Sequence, residues 1–125
     1  MTTMPQDNFQ QLAEFLLPEG LLDFFEIEEV YKTGEGFHIH LTEKNIIPKE
    51  YHNQKVLSKG FLPEIKIQDF PMRGKAVFLH IKRRRWQVES SGEIISRDWK
   101  LVSSGTRITQ EFADFLKGLL RYSSD

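Results

Sequence analysis

The sequence predicts a single α+β domain, in which a small antiparallel sheet built from two β-hairpins is flanked by N-terminal helices and a C-terminal amphipathic helix. Two observations carry this prediction. Apolar residues recur at helical spacing near both ends of the chain, and they alternate with polar residues at strand spacing in its middle. The chain has 125 residues, of which 39% are hydrophobic and ten are Phe, so it can bury a core without disulfides or metal.

The N-terminal helical region comprises residues 1–26. Asn8 or Asp7 can cap a first helix. An apolar stripe at i, i+3, i+4 and i+7 follows, formed by Phe9, Leu12, Ala13 and Leu16. Pro18 cannot continue that helix but suits the first turn of a new one, so we expect a short second helix after it.

The first hairpin is predicted over residues 27–43, with its turn at residues 33–36, where two of the four residues are Gly. Residues 44–60 follow. They are polar, lack a clear period and contain Pro48, which predicts a long and mobile loop.

The second, basic hairpin is predicted over residues 61–96, with its first turn at residues 70–74. The preferred register gathers the apolar side chains on one sheet face, whereas a shift by one residue would mix the two faces. This register pairs Ile67 with Val77 and Ile65 with Leu79.

The last helix is predicted over residues 109–122, with Thr109 as its cap. Its apolar residues form the most regular helical stripe in the sequence and are expected to cover one face of the sheet. They are Phe112, Phe115, Leu116, Leu119 and Leu120.

Composition excludes several classes of function. The chain has no Cys, which removes disulfides, thiol nucleophiles and Cys-ligated metal sites. It contains no Gly-rich phosphate loop, nucleophile elbow or metalloprotease spacing, so we expect no catalytic site of its own. It also shows no signal-peptide pattern and no apolar run long enough for a membrane span, which favours a cytoplasmic protein without membrane contact.

Charge is distributed unevenly although the net charge is only −1. Residues 1–36 carry eight acids and one base, and residues 37–125 carry ten acids and sixteen bases. Either one face binds an anionic partner, or the two halves attract each other.

A basic strand is the most informative feature. Six cations fall within thirteen residues, at Arg73, Lys75, Lys82, Arg83, Arg84 and Arg85, and Trp86 follows directly. One guanidinium group can bind two phosphate oxygens at once, and an indole ring can stack on a base, so this pattern favours DNA binding. Lys100 and Arg107 could extend the contact. Two alternatives remain open: the arginines could pair with the acidic N-terminal helices, or they could form a solvated edge that prevents aggregation.

Three histidines are candidate metal ligands. His38 and His40 project from one face of a strand, and His80 could join them. A metal site needs three or four ligands and an ordered second shell, so polar positions on a solvated sheet face are the preferred interpretation. We therefore expect no metal and no cofactor.

The segments IQDFPMRGK (residues 67–75) and HIKRRRW (residues 80–86) resemble the N-terminal region of bacterial insertion-sequence transposases of the ISAon type. The later SGTRIT (residues 104–109) is similar to their passage into the next helix. Zinc-ribbon transposases of the ISL type share a similar basic stretch, but their Cys pairs have no counterpart in this chain. Zinc is therefore not implied, and a ribbon-like core would have to be held by apolar packing.

This resemblance implies a non-catalytic DNA-binding module that acts in transposition and recombination, at transposon ends or on DNA of any sequence. A DDE-type catalytic domain would then lie on a separate partner chain. The alternatives are a protein-interaction module that docks onto that catalytic chain, and a folded inactive remnant.

Overall fold

The computed structural model describes residues 5–105 and 110–121, and these residues form two β-sheets and four α-helices. The elements are α1 (Pro5–Leu16), α2 (Leu21–Phe24), β1 (Phe25–Lys32), β2 (Phe37–Glu43), β3 (Val56–Phe61), β4 (Ile65–Met72), β5 (Lys75–Lys82), β6 (Arg84–Val88), β7 (Ile94–Ser96), α3 (Trp99–Gly105) and α4 (Gln110–Leu120). A 3₁₀ turn, Lys49–Tyr51, lies between β2 and β3. The predicted α+β class is confirmed.

The first sheet contains four strands in the order β1-β2-β5-β4. The β1–β2 and β4–β5 pairs are the two predicted antiparallel hairpins. The hairpins join through β2 and β5, which run parallel, with Ile39 opposite Leu79 and Leu41 opposite Ile81. These four side chains are buried in the main core beneath the helices. The sheet is therefore mixed, a relationship that no local pattern indicated.

The second sheet, in the order β3-β6-β7, corrects the prediction of a loop over residues 44–60. Residues 56–61 form β3, which pairs antiparallel with β6. The sheet has its own small apolar core, made of Val56, Trp86, Val88 and Ile95 with Tyr51 packed against it. β3 lacks alternation because only Val56 among its residues is buried.

The register of the second hairpin differs from the prediction by two residues. Ile67 lies opposite Leu79 and Ile65 opposite Ile81. The predicted apolar face is nevertheless correct, since a shift of two residues keeps every side chain on its own face. The predicted five-residue turn is also wrong: β4 continues to Met72, and Arg73 and Gly74 alone turn the chain, both with positive φ (53° and 77°).

The basic strand does not run straight through. β5 ends at Lys82 in the first sheet and β6 begins at Arg84 in the second, so the chain crosses between the sheets at Arg83. The carbonyl of Arg83 accepts a hydrogen bond from the Leu62 amide at 2.8 Å. The run of three arginines therefore lies where the two sheets meet.

Helix α4 covers the first sheet as predicted. Phe112, Phe115, Leu116 and Leu119 are buried, and Leu120 packs against the same core. The predicted cap, Thr109, lies outside the described residues. Helix α3 was not predicted. Asp98 caps it, because its Oδ1 accepts hydrogen bonds from the Lys100 and Leu101 amides.

Helix α1 departs from its prediction in two respects. It already includes Pro5, so Asp7 and Asn8 lie inside the helix and do not cap it. Of the predicted stripe only Ala13 is buried, while Phe9, Leu12 and Leu16 are each half exposed. Ala13 and Leu17 attach the helix to the core, and its remaining apolar side chains face outward.

Candidate nucleic-acid interface

The predicted DNA-binding residues are divided between two places. Arg73 and Lys75 are exposed at the tip of the β4–β5 hairpin. Residues 82–86 lie at the other end of β5, about 25 Å away at the usual rise of a strand. The six cations therefore do not form one continuous surface.

Glu43 organises the second group from inside the protein. Its side chain has no exposed surface. Its Oε1 accepts a hydrogen bond from the Arg84 amide at 2.9 Å, and its Oε2 accepts one from Nε of Arg97 at 2.7 Å. Burial raises the pKa of Glu43, and the hydrogen bond from Arg97 opposes that shift. An internal ion pair is thus present at this junction, between Glu43 on β2 and Arg97, whereas the predicted acids were those of the N-terminal helices.

Arg83 is part of this interior arrangement. Its residue is only 7% exposed, and burial lowers its pKa while Glu43 opposes the shift. This burial contradicts the predicted phosphate contact of Arg83. A strand that passes from one sheet to the other turns its side chain into the junction.

Trp86 does not stack on a ligand. The residue is 0% exposed, and its Nε1 donates a hydrogen bond to Oδ1 of Asn45 at 2.9 Å. It fills the core of the second sheet. The predicted stacking role is wrong because β6 belongs to a second sheet whose inner face needs a large apolar side chain.

The aromatic ring beside the surface cations is that of Phe61, which the sequence analysis missed. Phe61 is 36% exposed, with Cζ of Arg84 at 4.8 Å and Nζ of Lys82 at 5.8 Å from its ring centroid. Phe61 pairs with Arg84 across β3 and β6. The pairing of the two strands is irregular between Ser58 and Phe61, and the exposed Lys59 lies in this interval. We call Lys59, Phe61, Lys82 and Arg84 the Phe61 patch. No periodic signal marked it, because β3 has no alternation.

Two cations of the patch already have polar partners. Nη1 of Arg84 donates to Oγ of Ser58 at 2.6 Å, and its Nε donates to the Glu43 carbonyl at 3.1 Å. Nζ of Lys82 lies 3.8 Å from a carboxylate oxygen of Glu28, with both side chains about half exposed. Such an exposed pair is worth little, so Lys82 remains available to an anion.

Arg85 lies on the other face of β6 and is half-buried. Its Nη2 lies beside Gly60, where an added Cβ would be 3.6 Å away. Its Nε has no hydrogen-bond partner in the described part of the chain. Gly60 has a φ of 80°, which allows the chain to bend beside this guanidinium.

Lys100, which was predicted to extend the DNA contact, lies on α3, a helix that the sequence did not predict. It is exposed on α3 and, with Arg83 and Arg97, lines a groove of about 760 Å³ between the end of the second sheet and α3. Arg97 was not predicted and is held by Glu43 and by the carbonyl of Ile46. Arg107 lies outside the described residues.

The three histidines meet on the face of the first sheet opposite the helices. Nδ1 of His38 lies 2.8 Å from Nε2 of His80, and the His40 and His80 rings stack with centroids 4.2 Å apart. His38 is buried and the other two are partly buried, so the expected solvated sheet face is incorrect for His38. Burial lowers the pKa of His80, and His40 adds to that shift. Glu64 completes the cluster beside His40 and His80.

No family model matches the chain, and neither a curated protein nor a solved structure matches it significantly. Within residues 5–105 and 110–121, no helix has the length and apolarity needed to cross a membrane.

Proposed function

We propose that this chain is a non-catalytic DNA-binding module of a bacterial transposase, and that it contacts DNA phosphates through the Phe61 patch. The observation that carries the proposal is the arrangement of cations around Phe61, an exposed ring at the junction of the two sheets. The resemblance of residues 67–75 and 80–86 to ISAon-type N-terminal regions supports the same class. The catalytic DDE-type domain would lie on a separate chain in the cytoplasm.

The proposal gives the arginine run two roles. The backbone amide of Arg84 fixes the crossing between the sheets by its hydrogen bond to Glu43, and the buried side chain of Arg83 lies in the field of the same carboxylate. The outer guanidinium of Arg84, with Lys82 and Lys59, supplies the phosphate contacts. Arg85 on the opposite face of β6 and Lys100 on α3 would add contacts where a duplex wraps over the junction.

Phe61 takes the role that the sequence assigned to Trp86. An exposed ring flanked by cations can stack on a base or pack on a sugar while the cations hold the neighbouring phosphates. Phosphate contacts position a protein without reading sequence, so the patch by itself supports binding to DNA of any sequence.

Salt-dependent binding to a short duplex tests the proposal. If Lys59, Lys82, Arg84 and Arg85 contact about four phosphates, counterion release gives a log–log slope of about −3.6. Affinity should then fall roughly 100-fold between about 50 and 200 mM salt. A double variant, Lys59→Gln with Lys82→Gln, should bind more weakly and flatten the slope by about 1.8.

A matched pair of exposed lysines provides the control. Lys32→Gln with Lys117→Gln removes the same charge from β1 and α4 and should leave the slope unchanged. Arg73→Gln with Lys75→Gln tests the hairpin tip separately. A folded wild type without measurable DNA affinity at about 50 mM salt, where electrostatic binding is strong, would reject the proposal.

A protein-interaction module is the second candidate, favoured by the outward side of α1. Phe15 is 87% exposed, and together with Leu16 and Phe70 it lines a groove of about 370 Å³. Three acids also line the groove, namely Asp69, Glu111 and Asp114. The partner to test is the chain encoded directly downstream. Its capture by the wild type and loss with Phe15→Ser would favour docking, whereas no DNA affinity and no capture would indicate a folded remnant.

A further inference from the structure

Three potential metal ligands converge on the face of the first sheet that lies opposite the helices. One ring nitrogen of His40, one ring nitrogen of His80 and a carboxylate oxygen of Glu64 all lie within 4.8 Å of one another. Two imidazoles and one carboxylate with open positions form a donor set that suits divalent first-row transition metals. We infer that His40, Glu64 and His80 bind such an ion, and Zn²⁺ suits this set of ligands.

The separations within this triad fit an ion better than direct hydrogen bonds. Carboxylate oxygens of Glu64 lie 3.6 Å from Nδ1 of His40 and 3.5 Å from Nδ1 of His80. Hydrogen bonds between such atoms are normally about 2.7–3.2 Å long. Zinc bonds to nitrogen and oxygen of about 2.0–2.2 Å place neighbouring ligands of a tetrahedral ion about 3.4 Å apart.

The hydrogen bonds behind His80 are compatible with an Nδ1 that binds metal. Nε2 of His80 lies 2.8 Å from Nδ1 of His38, and Nε2 of His38 lies 2.9 Å from Oγ1 of Thr33. Metal binding selects the tautomers in which His80 donates from Nε2 to His38 and His38 donates from Nε2 to Thr33, and these satisfy both contacts. The Nδ1 lone pair of His80 then faces Glu64.

His40 is oriented in the same way. Its Nε2 lies 3.0 Å from the hydroxyl of Tyr31 and can donate to that oxygen, and in that tautomer the Nδ1 lone pair lies on the side of Glu64. A ligating imidazole that donates its other N–H to a fixed neighbour is the usual second shell of a metal site. Both histidines therefore have a hydrogen-bonded neighbour on the ring nitrogen that would not bind the metal. The sequence alone could not reveal these neighbours.

Binding requires one small rearrangement. The His40 and His80 rings are parallel within 4°, so one of them must turn about its Cβ–Cγ bond for both lone pairs to meet. That torsion is broad for histidine and permits the rotation. Lys66, the nearby cation on β4, has its Nζ held by Glu35 at 3.1 Å and over the Phe78 ring.

Calorimetric titration of chelator-treated protein with ZnCl₂ tests the site. We expect one ion per chain, and we expect His40→Asn and Glu64→Gln each to weaken binding by at least about tenfold. Glu64 is the safest position to change, since its side chain is 37% exposed and, among the contacts described, its carboxylate meets only His40 and His80. Circular dichroism of each variant checks that the sheets remain folded.

His52→Asn is the matched control, because His52 bonds only the Lys49 carbonyl in the 3₁₀ turn among the contacts described. It should bind Zn²⁺ like the wild type. The inference is overturned if the folded wild type binds no Zn²⁺, if both triad variants bind it unchanged, or if His52→Asn abolishes binding.

Discussion

Nε of Arg97 donates a 2.7 Å hydrogen bond to Oε2 of Glu43, a carboxylate with no exposed surface at the junction of the two sheets. Arg97 follows β7 in the second sheet, and Glu43 ends β2 in the first. The pair therefore ties the sheets together. It also explains why part of the basic run is turned inward, since the amide of Arg84 binds the other oxygen of the same acid.

Removing Glu43 should strongly destabilise the fold. Glu43→Ala leaves buried donors of Arg84 and Arg97 without their acceptor, which should cost about 3–5 kcal/mol of unfolding free energy. Urea unfolding measures the change. Glu89→Ala is the control, because it removes an exposed partner of Lys55 at 3.5 Å and should cost less than about 1 kcal/mol. Equal costs for the two variants would contradict the role of Glu43.

The raised pKa of Glu43 predicts a specific dependence of stability on pH. Its usual value is 4.5, and burial raises it in the folded state, so the folded protein holds this proton more tightly than the unfolded chain does. The stability contributed by protonation is full below pH 4.5 and is lost as the pH rises through the folded pKa.

Glu43→Gln cannot titrate at this position and isolates the effect. The unfolding free energy of the wild type minus that of the variant should fall as the pH rises from 4.5 towards neutrality. Other titrating groups cancel in the difference. A difference that increases with pH would mean that the ion pair lowers the pKa, contrary to this prediction.

Trp86 and Phe61 should respond oppositely to truncation. Trp86→Ala empties the core of the second sheet and should cost about 3–5 kcal/mol of stability. Phe61→Ala should keep the fold and weaken DNA binding by about 1–3 kcal/mol if one base stacks on the ring. Chemical unfolding and duplex binding separate the two. Phe70→Ala, which removes an exposed ring far from the patch along β4, should leave DNA affinity unchanged.

Helix α4 should be a main source of stability. Phe115→Ala or Leu116→Ala removes a buried side chain from the core over the first sheet and should cost on the order of 3 kcal/mol. Phe15→Ala is the control, because Phe15 is almost fully exposed and its loss should be nearly neutral. The prediction is wrong if the buried and exposed truncations have the same effect on urea midpoints.

Folding should not require metal, even if the histidine triad binds Zn²⁺. Both sheets are held by apolar cores, whereas a Cys-ligated ribbon obtains its folding free energy from the ion. Protein kept in a strong chelator should show cooperative thermal unfolding and unchanged strand content. Loss of structure on chelation would contradict this expectation.

Several features of the fold could be predicted from local pattern alone. The stripe of Phe112, Phe115 and Leu116 and the alternation through Val77 and Leu79 identified α4 and β5, because burial on one side imposes a period on the sequence. β3 was missed because it has one buried residue and therefore no alternation. The stripe of α1 keeps the helical period although Phe9 and Leu12 are half exposed, so a period does not by itself establish burial.

The sequence by itself determined the α+β class, the two hairpins, the apolar face of β5 and the concentration of cations at residues 82–85. Only the tertiary structure decided which of those cations reach solvent. Alternation assigns a residue to one side of its own strand, but it does not tell which sheet that strand joins or what lies beneath it. The crossing at Arg83 places Trp86 in the core of the second sheet and brings Arg97 of that sheet to Glu43 of the first. The pairing of β4 and β2 with β5 brings Glu64 to His40 and His80. Each of these contacts joins residues far apart in the chain, which local pattern does not report.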